Sequence, residues 1–155
     1  MYTNVLLASD GARESLIALR EGALIAAAFK SRVYLLIIDP ETGGTAIGES
    51  VLARPADRTS FDLLELGLAR LKRLGVEASG SVVAGEPARE IAARARALKA
   101  DLIVVGHRRQ TFMERWWSGA AGGYIVDSVA CSVMVARNMV SDEAFERHLM
   151  APTTD

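Results

Sequence analysis

Residues 101–136 read DLIVVGHRRQTFMERWWSGAAGGYIVDSVACSVMVA, and this stretch decides the fold. Leu102 to Val105 is an apolar run with β-branched residues, the mark of a strand buried on both faces. Gly106 turns the chain into a basic and aromatic loop holding Arg108, Arg109, Arg115, Trp116 and Trp117. Gly119 then opens a helix that runs to Val129, and Ser132 to Ala136 (SVMVA) is a second apolar strand. A strand that passes through glycine into a loop ending at a helix N-terminus is one way to hold a phosphate. The unpaired N–H groups and the positive end of the helix dipole face the anion.

The N-terminal half repeats the strand–helix–strand pattern. Asn4 to Ser9 (NVLLAS) is a short buried strand, closed by Asp10-Gly11. Residues 12–29 place Leu16, Leu19, Ala23 and Ala27 on one helical face. Arg32 to Ile38 (RVYLLII) is a second buried strand, ended by Asp39-Pro40. Such a unit implies parallel pairing through a crossover helix. Residues 41–58 contain Gly43, Gly44, Gly48 and Pro55 without sustained periodicity and read as a long loop. Phe61, Leu64, Leu68 and Leu71 outline a second amphipathic helix that closes near Gly75.

Residues 76–83 alternate only in part, which fits a strand at a sheet edge. Pro87 suits the first position of a third helix, where its missing N–H costs nothing. Ile91, Ala95 and Leu98 form that helix's apolar face, with Arg89, Arg94 and Arg96 outward. Five strands and four helices in alternation predict a doubly wound α/β sheet. Residues 141–150 suit a short helix beyond it, and the last five residues read as disordered.

Composition narrows the function classes. At 155 residues the chain is long enough for one domain with a real core. A net charge of −1 argues against general nucleic-acid binding, which favours a basic domain or stripe. No apolar run is long enough to span a bilayer, and MYTNVLLASD lacks the features of a signal peptide. The single cysteine, Cys131, excludes an internal disulfide and suits a reducing cytoplasm. Its nucleophilic use would need a base and an orienting group, and neither is identifiable, so Cys131 reads as a small packed residue. The chain contains no G-x-S-x-G, no G-x4-G-K-[ST] and no G-x-G-x-x-G. His107 follows the Gly106 turn without a metal-ligating set around it, His148 reads as solvated, and no metal site is expected.

The spacing of Gly106, Arg109, Gly119 and Ala120 carries a resemblance. It is similar to the G-x2-G-x9-G-[ST] of nucleotide-binding universal stress protein domains. Arg109 stands at the second glycine and Ala120 at the hydroxyl position. The resemblance covers roughly residues 1–137, leaving 138–155 as a C-terminal segment. It implies a five-stranded parallel sheet in the order 3-2-1-4-5 with helices on both faces. The strand order then reverses between strands one and four, where such sheets bind ligands. By the same match, Asp10 and its neighbours would meet the adenosine part of a nucleotide. Ala8 and Ser9 would flank the base, and Ile37 would offer its backbone to adenine. Val105, Gly106, Arg109, Gly119, Ala120, Ala121 and Gly122 complete the nucleotide-binding set that the resemblance implies.

The expected function is therefore a cytoplasmic, dimeric stress-response protein that binds ATP or a related adenine nucleotide, with Mg2+ only alongside ATP. No catalytic residue is assigned. Two other readings stay open. One is a nucleotide-free adaptor with a vestigial loop, favoured by Arg109 and Ala120. The other is a slow ATPase, which would need a general base near the phosphates. Asp10 reads equally as a cap or Asx turn, and Asp39 as a strand-ending residue. Trp116 and Trp117 read either as pinning the loop or as a partner surface. The resemblance places the homodimer contact on the apolar edge strand Ser132 to Ala136, unless the C-terminal segment covers that edge.

Overall fold

The computed structural model describes residues 1–11, 13–39, 56–106, 125–137 and 140–150. Five parallel strands form one sheet in the order β3-β2-β1-β4-β5. They are β1 (Asn4–Ser9), β2 (Arg32–Asp39), β3 (Ala78–Ala84), β4 (Leu102–Gly106) and β5 (Ser132–Ala136). The helices are α1 (Arg13–Ala18), α2 (Arg20–Ala28), α3 (Ala56–Arg73), α4 (Pro87–Leu98), α5 (Ile125–Ser128) and α6 (Asp142–Met150). The expected architecture and strand order are those observed.

Side chains alternate between two apolar layers, as the pleat requires. Val5, Leu7, Leu35, Ile37 and Val104 pack with Leu16 of α1, Leu19 at the α1–α2 junction, Ala23 of α2, and Leu63, Leu64 and Leu71 of α3. Leu6, Ala8, Leu36, Ile38, Ile103 and Val105 pack with Ile91 and Ala95 of α4 and Ile125 of α5. Crossovers from β1 to β2 and from β2 to β3 thus run over one face. Those from β3 to β4 and from β4 to β5 run over the other, as right-handed connections require when the direction along the sheet reverses.

Gly22 lets α2 lie close on the sheet. A Cβ there would stand 2.7 Å from Val104 Cγ1 and 2.9 Å from Leu7 Cδ2. α4 begins as its sequence predicts. Pro87 occupies the first turn, and the Glu86 carboxylate accepts the Ala88 and Arg89 N–H groups at 3.1 and 2.8 Å.

Local departures have identifiable causes. The helix expected over residues 12–29 is divided at Leu19, yet Leu19 N–H donates to Ser15 O and Ala23 N–H to Leu19 O, so the axis continues. α3 starts at Ala56, so the final residues of the expected 41–58 loop are helical, and positions 41–55 lie outside the described residues. Phe61 is 55% exposed, because Leu63 and Leu64 rather than Phe61 turn toward the sheet. Val76 is buried but precedes β3. Arg94 does not simply face out: its guanidinium stacks 4.9 Å from the Tyr34 ring centroid. Of the helix expected over 119–129, the described part is Ile125–Ser128. Nor does α6 pair along β5, for Arg20 and Arg73 hold it against α2 and α3.

The starts of the neighbouring parallel strands β1 and β4 are joined by one carboxylate. Asp101, just before β4, accepts Thr3 N–H at 2.7 Å and Asn4 N–H at 3.2 Å, at the entry to β1. Asp101 N–H donates in turn to Asn4 O at 3.0 Å. Replacing Asp101 by Ala removes the acceptors, and urea denaturation is expected to show a loss of about 1–2 kcal/mol.

Candidate functional site at the strand-order reversal

β1 is flanked by β2 and β4, and the register aligns their C-terminal ends. Ser9 pairs with Ile37, and Ala8 with both Leu36 and Val105. Gly106 ends β4 one residue beyond Val105. Ser9, Ile37 and Gly106 therefore stand at one level, at the mouth of the crevice where crossovers diverge.

The β1–α1 turn is fixed by its own chemistry. Ser9 is fully buried, and its Oγ accepts the Gly11 N–H at 3.3 Å. Gly11 has φ +75°, a left-handed conformation that a Cβ disfavours. Asp10 sits half-buried between them, at the crevice rim. The side chains of Ala8 and Val105 point into the α4 layer and that of Ile37 into the α3 layer. What these three can offer a ligand is backbone. Arg109, Gly119, Ala120, Ala121 and Gly122 lie outside the described residues, as do His107, Trp116 and Trp117.

One neighbour of this turn was not legible beforehand. Ser60, in the first turns of α3, is only 7% exposed. A Cβ built on Gly11 would lie 3.5 Å from Ser60 Oγ, 3.7 Å from Ile37 Cγ2 and 4.0 Å from Ile38 O. Ser60 thus closes the turn from the β2 side. Nothing in its local sequence marks it, since the contact joins residues far apart in the chain.

The family model for the universal stress protein family matches residues 1–137. This chain belongs to the universal stress protein family. A universal stress protein of Methanocaldococcus jannaschii is 30% identical over 147 residues, covering 88% of this chain and 83% of that one. A universal stress protein of Archaeoglobus fulgidus, solved in complex with dAMP, superposes with a TM-score of 0.62 at 19% identity. The match covers 88% of this chain and 98% of that one. An Arabidopsis thaliana member of the family, solved with AMP bound, gives 0.62 at 19% identity, covering 92% and 97%.

Away from the crevice, Cys131 is partly buried between α5 and β5. Burial, reinforced by the Asp101 carboxylate, holds its thiol above the ordinary range, against a smaller downward pull from a backbone hydrogen bond. A raised pKa disfavours the thiolate and so fits a packed rather than a nucleophilic residue. Among the described residues no group of three His, Cys, Asp or Glu side chains could hold a metal ion, and no helix is long and apolar enough to cross a membrane.

In this universal stress protein the Gly11 turn is constrained by backbone conformation, not by crowding, because 3.5 Å to Ser60 Oγ is an ordinary contact. Gly11→Ala is expected to cost about 1–2 kcal/mol. A double-mutant cycle with Ser60→Ala, followed by urea denaturation, should give a coupling energy near zero; relief of the strain by Ser60→Ala would show that crowding sets the cost.

Proposed function

We propose that this universal stress protein is a cytoplasmic, dimeric regulatory protein that binds ATP or a related adenine nucleotide without appreciable turnover. The observation that carries the reading is the alignment of the Ser9-Asp10-Gly11 turn with Ile37 and Gly106 at the strand-order reversal. Family membership and relatives solved with AMP and dAMP support it.

In this reading the base lies along Ala8, Ser9 and the Ile37 backbone, and Asp10 faces the ribose. The phosphates extend from Val105 and Gly106 toward the N–H groups of Gly119, Ala120, Ala121 and Gly122. Arg109 supplies a guanidinium where the family pattern has glycine, and planar donors suit phosphate oxygens. Mg2+ accompanies the nucleotide only when it is ATP. Ala120 contributes a backbone N–H and no hydroxyl. The missing hydrogen bond costs on the order of 1 kcal/mol, roughly fivefold in affinity, which weakens binding without abolishing it. Occupancy regulates the protein to the extent that the nucleotide favours one of two states.

Arg109 and Ala120 also support a second reading, a nucleotide-free adaptor with a vestigial loop. Freshly purified protein, denatured and resolved by nucleotide chromatography, separates the two. The emptied protein is then titrated with ATP and AMP by calorimetry. Co-purified nucleotide, or micromolar binding that weakens in Gly119→Trp, supports the nucleotide reading. No nucleotide and no heat at millimolar ATP, with the protein folded, supports the adaptor.

The dimer contact is assigned to β5, which among the described residues pairs with β4 alone and presents Val135 at 37% exposure. Sedimentation is expected to give a dimer mass for the natural chain and a shift toward monomer for Val135→Lys.

A further inference from the structure

The end of the sheet opposite the crevice carries a charge pattern of its own. There the N-terminal ends of β1, β2 and β3 meet the C-terminal end of α4. A groove of about 510 Å³ lies between them, and Asn4, Arg32, Tyr34, Glu77, Ser79 and Lys99 are among its walls. Asn4 is in register with Arg32, and Tyr34 with Ser79, so these four side chains share the α4 face of the sheet. The Tyr34 ring is fixed from two sides. Its hydroxyl donates to Ser81 Oγ at 2.9 Å, and the Arg94 guanidinium stacks 4.9 Å from its centroid. Asn4 Nδ2 donates to Lys99 O at 3.4 Å, which ties the start of β1 to the end of α4.

Arg32, Arg94 and Lys99 face a single carboxylate in this region, that of Glu77. Among the described residues none of these four forms an ion pair. The nearby Asp101 carboxylate is engaged by the Thr3 and Asn4 N–H groups. The chain as a whole stands at −1, so the positive excess is local. Lys99 also sits where glycine is the usual residue. It caps α4 with φ +49° and ψ 48°, a left-handed backbone that a side chain disfavours. A cation does complement the negative end of a helix, but at an exposed position that gain does not exceed the strain. A partner for the lysine outside the helix accounts for keeping it there.

We infer that this groove is a docking surface for an extended acidic segment of a partner protein. Arg32 stands on β2, Arg94 within α4 and Lys99 at its end, with the last two roughly 7 Å apart along the helix axis. Charge spread along a groove suits several carboxylates in one chain better than it suits a single phosphate. Tyrosine and arginine are the side chains that most often anchor interfaces, and opposite charge steers the encounter. Ser79 and Asn4 supply hydrogen-bonding groups between the cations. This inference is independent of nucleotide binding, which concerns the C-terminal ends of the strands.

The test uses the full isotope-labelled chain, titrated with an acetylated hexaglutamate peptide, with hexalysine and inorganic phosphate as comparisons. Hexaglutamate should give saturable amide shifts at Asn4, Arg32, Tyr34, Ser79 and Lys99, and its affinity should fall as salt rises. Arg32→Gln combined with Lys99→Gln alters exposed cations and spares the core. This variant should bind about fivefold more weakly, as loss of two exposed charge pairs requires. Lys99→Gly removes strain and charge together, so its urea midpoint should hold or rise while its affinity for hexaglutamate falls. The inference fails if hexaglutamate shifts none of these residues, if hexalysine shifts them equally, or if the double variant, folded by circular dichroism, binds as well as the natural chain. Phosphate saturating the same residues at lower concentration than the peptide would also overturn it, by making the groove a small-anion site.

Discussion

The structure depends on the burial of β1. From Val5 to Ser9 every residue is buried, with α1, α2 and α3 over one face, α4 and α5 over the other, and strands on both edges. A strand without a solvent face must be largely apolar, as Val5 to Ala8 are, with Ser9 at its end satisfied by the Gly11 N–H, and must have both edges paired. Fully burying each of its large aliphatic side chains stabilises the fold by about 1.5–3 kcal/mol. The same placement creates the crevice. Because β2 and β4 are reached in opposite directions along the sheet, their crossovers leave opposite faces, and a gap opens above the end of β1. Ser9, Asp10 and Gly11 stand at that gap because they are where β1 must stop.

Turn chemistry then decides what the crevice can do. Ser9 spends its buried hydroxyl on the Gly11 N–H, which holds the chain in a left-handed turn and leaves Asp10 at the rim. Ser60 and Ile37 close the turn from the side of β2. The result is a preorganised backbone beside the end of β4, suited to a ligand read largely through main-chain groups.

Much of this was legible because the signals are local. Short apolar runs gave the strands, and β5 was located at Ser132–Ala136 from SVMVA alone. Pro87 after Glu86 marked the start of α4. Strand order was legible only through the Gly106–Gly119 spacing and the family it resembles, since pairing is a non-local property. What escaped reading was set by contacts between distant residues. Phe61 has the spacing of a core residue, but α3 is rotated so that Leu63 and Leu64 meet the sheet instead. Ser60 matters because it touches Gly11, and Arg20 because residues 140–145 return to it. Neither has a sequence signature. Arg94 looked like an ordinary surface charge, and only the sheet places Tyr34 beneath it.

The central claim is that the reversal between β1 and β4 is where an adenine nucleotide binds. Backbone amide chemical shifts of the isotope-labelled protein, followed during titration with ATP, test it most directly. Nucleotide binding at the reversal should give saturable shifts at Ser9, Asp10, Gly11, Ile37 and Gly106, with little change at Arg20, Phe145 or the rest of α6. Shifts absent from the first group while the protein stays folded, or concentrated elsewhere on the surface, would contradict it.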